Sequence, residues 1–114
     1  FHYFTTMMIR FCLFALFIAS LAASSVYTNC VGHRGASGEY PENTMLAFVK
    51  AFEQGADGIE TDVHVTKDGY VVLLHDTTVD RTTNGRGRID QLDYVGYVDG
   101  LDAGSGEHVP LLKE

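Results

Sequence analysis

An α/β fold, built from βα units on a parallel sheet, is what this sequence predicts, and three observations predict it. An apolar run, Val26 to Val31, is closed by the glycine-rich loop Gly32-His33-Arg34-Gly35-Ala36-Ser37-Gly38. Apolar residues then recur at helical spacing from Met45 to Phe52, with a stop at Gly55. Two further strand-like segments follow, one carrying Glu60-Thr61-Asp62 and the other ending at His75-Asp76. Strand, loop, helix, glycine, strand is the order that leads to a parallel sheet buried on both faces.

The first 25 residues stand apart from that order. Phe1 to Thr6 precede the first Met and read as upstream sequence without function. From Met7, a positive residue (Arg10), an apolar run (Phe11 to Ala19) and small residues through Ser25 follow the pattern of a secretory signal peptide. The run falls short of the ~20 residues a spanning helix needs, so no stable membrane anchor is expected after cleavage. The predicted location is secreted, periplasmic or otherwise extracytoplasmic, with residues 26–114 as the domain. Cys12 would leave with the leader and Cys30 would stand alone, which excludes a disulfide scaffold. A buried, inert thiol is the expectation for Cys30. The formal charge of −7 offers no basic stripe for a nucleic-acid backbone.

Along the domain, Val26 to Gly32 reads as the first strand. Pro41-Glu42-Asn43-Thr44 opens a helix whose Met45, Leu46, Phe48, Val49 and Phe52 form the expected core face. The second strand carries Ile59, Val63 and Val65 among polar residues, and Lys67-Asp68-Gly69 is a turn. The third strand, Tyr70 to Leu74, is antiparallel by local rule, or else parallel after a short excursion. Thr77 to Ile89 reads as a long loop beside the site, in which Asp80-Arg81 is a ligand clamp or a local ion pair. Gln91 to Gly106 reads as a surface loop with one weak helical turn, His108 has no role, and Val109 to Glu114 resembles the start of another helix.

The candidates for chemistry are His33, Arg34, Glu60, Asp62 and His75, each at or just past the end of a predicted strand, where α/β sites lie. Side chains alternate along a strand, so Glu60 and Asp62 project the same way, about 7 Å apart. A hard divalent cation resolves their repulsion, and all-oxygen ligands favour Mg, Ca or Mn over Zn. Two histidines from different strands supply acid and base, and Arg34 suits phosphate oxygens. Together these residues suit a metal-assisted phosphoryl-ester hydrolase. His64 continues the Glu60, Asp62 period but is read as structural.

The segments Gly32 to Gly38, Pro41-Glu42-Asn43-Thr44, Gly55 to Val63, Thr66 to Gly69, His75-Asp76, Asp80 to Gly85 and Val109 to Glu114 resemble, in order, the N-terminal portion of the glycerophosphodiester phosphodiesterase family. The resemblance implies a TIM (β/α)8 barrel, here truncated to roughly its first three βα units. It implies hydrolysis of glycerophosphodiesters such as glycerophosphocholine to glycerol 3-phosphate and an alcohol. It assigns His33 and His75 as catalytic, Arg34 to the substrate phosphate, and Glu60 and Asp62 to one divalent cation, Ca or Mg, with Mn permitted. It also implies that His75 ends a third strand parallel to the others.

That family takes its third metal ligand from a Glu on a fourth strand, a role that Glu114 does not match. About 90 mature residues cannot close a barrel of ~250. The expectation is an isolated chain that is inactive and prone to aggregate along unpaired strand edges. The competing readings are a related two-histidine barrel phospholipase acting on intact lipids, and a secreted fragment without catalysis.

Overall fold

The structure, a computed structural model, describes residues 29–114; the signal-peptide reading and the start of the predicted first strand lie outside the described residues. Strand β1 (Val31–His33) runs parallel to β2 (Gly58–Glu60), with His33 opposite Glu60 in register. The pairing extends beyond both ends, since Asp57 N donates to Cys30 O and Arg34 N to Glu60 O, each at 2.8 Å. Cys30 is exposed rather than buried, because it precedes β1 at the end of this pair, where Asp57 Oδ2 takes its N–H.

Helix α1 (Met45–Glu53) connects the two strands. Thr44 is its N-cap, with Oγ1 accepting from Ala47 N at 3.2 Å. At the other end Gly55, at φ +92, allows the Gly55 N to Phe52 O and Ala56 N to Ala51 O bonds of a Schellman stop. The buried face is Ala47, Phe48 and Ala51. Phe52 is 53% exposed and Val49 50%, which corrects the predicted core face. Small residues decide this orientation. A Cβ on Gly35 would stand 2.7 Å from the Ala47 carbonyl carbon, and one on Gly32 would stand 2.9 Å from Ala51 Cβ. The helix therefore approaches the β1 loop through its alanines, and its larger residues turn outward.

After β2 the chain breaks at Thr61-Asp62 and forms a hairpin of β3 (Val63–Val65) and β4 (Val71–Leu73). These strands are antiparallel, so the expectation of a third parallel strand does not hold for β4. The cause lies in the turn: Thr66 N donates to Tyr70 O, Gly69 N donates to Thr66 O, and Gly69 adopts φ +89. A parallel return needs a crossover of about a dozen residues, which this turn lacks. The other edge of β4 meets the C-terminal segment through a Val72–Leu111 bridge, with Leu73 N on Pro110 O and Leu112 N on Val71 O. Beyond the bridge, Glu114 N donates to Leu111 O and Leu111 N to Glu114 Oε1, which closes one turn. Only two strands of a parallel sheet are present among the described residues, and no barrel closes there.

Much of the core comes from segments read as loop (77–106) and from the C-terminal segment after them. Ile89, Tyr94, Val98, Leu101, Ala103, Val109 and Leu111 bury themselves with Val72, Leu74 and Val79 beneath the hairpin. Two short 3-10 turns, Ile89–Gln91 and Val98–Gly100, carry that segment. Asp68 at the hairpin tip fixes it, accepting from Tyr94 N at 2.8 Å and Val95 N at 3.2 Å. The Tyr70 and Tyr94 rings meet at 5.2 Å between centroids. No helix among the described residues is long and apolar enough to cross a membrane.

Candidate active site

The parallel pair delivers His33 and Glu60 side by side, since residues in register on neighbouring strands share a face. His33 Nε2 stands 3.8 Å from Glu60 Oε2, and both side chains are largely exposed. Ser37 Oγ donates to the His33 carbonyl at 2.8 Å and closes the loop behind it.

Arg34 follows at φ +59, a left-handed conformation uncommon for a long side chain. Its backbone is held on both sides, N to Glu60 O at 2.8 Å and O from Asn43 N at 3.0 Å. The loop therefore dictates where the guanidinium points. Nη1 donates to Glu42 Oε1 at 3.2 Å. Nε lies 3.3 Å from Asp62 Oδ2, close enough for ion pairing, yet is misaligned and is buried without a hydrogen-bond acceptor. A buried donor of this kind costs stability unless an acceptor reaches it, and an anion would serve.

Asn43 joins the helix start to the end of β2. Buried, and itself at φ +56, it donates Nδ2 to Asp62 Oδ2 at 3.3 Å and accepts from Thr61 Oγ1 at 2.8 Å. Asp62 O accepts from Leu74 N, which brings the end of β4 alongside. There His75 Nδ1 donates to Asp76 Oδ1 at 2.7 Å. His64 Nε2 donates to the His75 carbonyl at 3.1 Å, a backbone-holding contact in keeping with the structural reading of His64.

Arg81 links these halves. Its Nε donates to Asp76 Oδ2 at 2.8 Å, while Nη1 and Nη2 grip Glu42 Oε2 and Oε1 at 2.8 and 2.7 Å. Its partner is therefore not Asp80, as a purely local ion pair would require. Asp80 turns to Gly87 N and Arg86 instead, and so stiffens the 80–87 loop. The hydrogen bonds from Arg81 hold the Glu42 carboxyl below its usual range. Those from Arg81, then that from His75, hold Asp76 well below. In return the hydrogen bonds from Glu42, then those from Asp76, raise Arg81. All three groups are ionised at neutral pH.

The five residues picked from the sequence thus fall into two contacting pairs, His33 with Glu60 and Arg34 with Asp62, and His75 is tied to Arg34 through Asp76, Arg81 and Glu42. No hydrogen bond or ion pair among the described residues joins His33 to His75 directly. Glu60 and Asp62 suit a hard cation in donor type, and Glu60 keeps acceptor capacity to spare, since His33 at 3.8 Å is its one ion-pair partner among the described residues. No cluster of three candidate metal ligands occurs among the described residues. Sequence reading passed over Glu42, Asn43 and Asp76 as site residues. The signal available for them was position, directly after the His33-Arg34 loop and directly after His75.

The sequence pattern of the glycerophosphoryl diester phosphodiesterase family matches residues 33–114. The chain is 49% identical over 94 residues to a glycerophosphodiester phosphodiesterase of Caldanaerobacter subterraneus, covering 76% of this chain and 38% of that protein. Among solved structures it is similar to a glycerophosphodiester phosphodiesterase from Agrobacterium tumefaciens, with TM-score 0.72, 46% identity, and 75% and 39% of the two chains covered. It is also similar to an Oleispira antarctica phosphodiesterase in complex with its product sn-glycerol-3-phosphate, with TM-score 0.69, 36% identity, and 75% and 37% covered. The chain spans just over a third of the length of these relatives.

Proposed function

Because the chain belongs to the glycerophosphoryl diester phosphodiesterase family, we propose that it serves the metal-assisted hydrolysis of glycerophosphodiesters to glycerol 3-phosphate and an alcohol. The observation that carries this reading is the buried Arg34 Nε without a hydrogen-bond acceptor, beside the carboxylate of Asp62 and directly after His33 at the end of β1. A phosphodiester oxygen would satisfy that donor with a charge-assisted hydrogen bond. The Oleispira relative, which holds sn-glycerol-3-phosphate, supports the same substrate class.

The chain's own groups divide the work. Arg34 binds and orients the phosphoryl group. Asp76 takes the Nδ1–H of His75, so the neutral ring presents Nε2 as a base, and the protonated ring can return that proton. His33, at the end of β1, supplies the complementary acid or base. Glu60 and Asp62 would hold one divalent cation, Ca or Mg with Mn as an alternative; when bound, it would draw off charge building on the phosphodiester oxygens. The leader-like residues 7–25 support an extracytoplasmic location.

Release of glycerol 3-phosphate from glycerophosphocholine with Ca or Mg tests the proposal, in the 114-residue chain and in any longer form its gene encodes. Turnover that a chelator abolishes and that His75→Ala reduces by at least ~100-fold supports it. A folded long form that never releases glycerol 3-phosphate refutes it.

A further inference from the structure

We propose that Arg81 is the positioning residue of this site, a single guanidinium that fixes the tautomer and orientation of His75 through Asp76 while anchored on Glu42. The inference rests on the reading of His75 as the acid/base group, and it adds a residue that acts without touching substrate.

Three features carry it. First, four of the five N–H donors of Arg81 are used: Nε and Nη2 reach both oxygens of Asp76, and Nη1 and Nη2 reach both oxygens of Glu42, at 2.7–3.1 Å. A planar fork held by two carboxylates cannot rotate without losing bonds. Second, Asp76 Oδ1 is also the acceptor of His75 Nδ1–H at 2.7 Å. A free carboxylate could swing away from the ring, and one clamped at both oxygens cannot. An ionised carboxylate only accepts, so the clamped Asp76 selects the Nδ1–H tautomer and leaves Nε2 bare. Third, Glu42 lies on the β1–α1 side of the site, and its Oε1 is shared by Arg81 and Arg34. The same fork therefore ties the ring of His75 to the loop that presents Arg34. The contact of His64 Nε2 with the His75 carbonyl holds the backbone and leaves ring orientation to Asp76.

The test uses the full chain labelled with 15N-histidine, and it reads the His75 ring nitrogens by NMR at a pH where the ring is neutral. The parent is expected to show the Nδ1–H form. Asp76→Ala, which removes the acceptor, and Arg81→Gln, which removes the clamp, should each move the tautomer ratio toward Nε2–H by on the order of threefold to tenfold. Arg81→Lys keeps the charge without the fork and should fall between, and it carries the test if Arg81→Gln does not fold. Arg86→Gln, which removes an arginine of the same loop that pairs with Asp80, should leave the ratio unchanged. An unchanged ratio in the folded Arg81 variants, or an equal shift in Arg86→Gln, overturns the proposal. Since the ratio is read without turnover, a shifted tautomer in a protein that hydrolyses no phosphodiester would uphold the clamp and defeat the catalytic reading alone.

Discussion

Nη2 of Arg81 stands 2.7 Å from Oε1 of Glu42, a residue 39 positions earlier in the chain. That one contact spans the site, because Glu42 belongs to the loop leading into α1 and Arg81 to the turn after β4. Bidentate arginine–carboxylate pairs are the strong members of their class, and this one shares its guanidinium with Asp76.

Acid should dissolve this network in a defined window. Glu42 and Asp76 both titrate below their ordinary values of 4.5 and 3.8, chiefly through hydrogen bonds from Arg81. A depressed folded value adds stability that is complete above the ordinary value and is lost as pH falls through the folded one. The gap in melting temperature between the parent and Arg81→Gln should therefore hold from pH 7 to 4.5 and close progressively below 3.8. Melts followed by circular dichroism at constant ionic strength check this, and a gap that widens in acid would contradict it. The exposure of Asp76 keeps its own contribution small.

The two phenylalanines of α1 should respond very differently to truncation. Phe48 is 5% exposed and packs inward, so Phe48→Ala should cost roughly 3–5 kcal/mol. Phe52 faces solvent, and Phe52→Ala should stay within about 0.5 kcal/mol. Urea unfolding distinguishes them, and equal losses would mean that α1 is rotated from the orientation described.

Thr44→Ala should cost about 1–2 kcal/mol, more than an exposed cap would. The hydroxyl is buried, accepts from Ala47 N and donates to Pro41 O at 2.7 Å, so its loss leaves two partners unsatisfied. Thr44→Ser should recover most of the difference in the same unfolding measurement.

Asn43→Ala frees Asp62 from its amide partner. If Asp62 holds a cation, affinity for Ca or Mg should fall about 10- to 100-fold, as when other groups that orient ligands are removed. Titration calorimetry on the parent and the variant checks this, and an unchanged affinity would separate Asn43 from any cation site.

The placement of the candidate residues was legible because they sit in short motifs at strand ends: His33-Arg34, Glu60-Thr61-Asp62 and His75 all lie at or just past the ends of β1, β2 and β4. The helix between β1 and β2 was legible from its cap, its period and Gly55. Its inward face was not, because periodicity marks the apolar side and not the approach distance, which Gly32, Gly35, Ala47 and Ala51 set. The direction of β4 was misread once the family's barrel was followed, although the five-residue turn from Thr66 to Tyr70 already favoured a hairpin. The core role of Tyr94, Val98 and Leu101 was hidden for a different reason. Their i, i+4, i+7 spacing marks one face, but with Gly96 and Gly100 among them the segment forms only a short 3-10 turn, and Asp68 on a distant turn holds it at Tyr94 and Val95. Arg81 likewise sits beside Asp80 in sequence and bonds Glu42 and Asp76 instead, a choice of partner that sequence adjacency does not decide.

The contact between the β1 loop and α1 constrains how this protein can drift under mutation. At Gly32 the tightest obstacle to a methyl group is another methyl, Ala51 Cβ at 2.9 Å, so Gly32→Ala has a natural suppressor in Ala51→Gly, incomplete because Gly35 O also stands at 3.1 Å. At Gly35 the obstacle is the Ala47 main chain at 2.7 Å, and the residue itself lies at φ +80. No side-chain trimming on the helix can make room there. Gly35 is thus a position without compensatory escape, and a random-mutagenesis screen for second-site revertants should recover partners for Gly32 and only true reversion for Gly35.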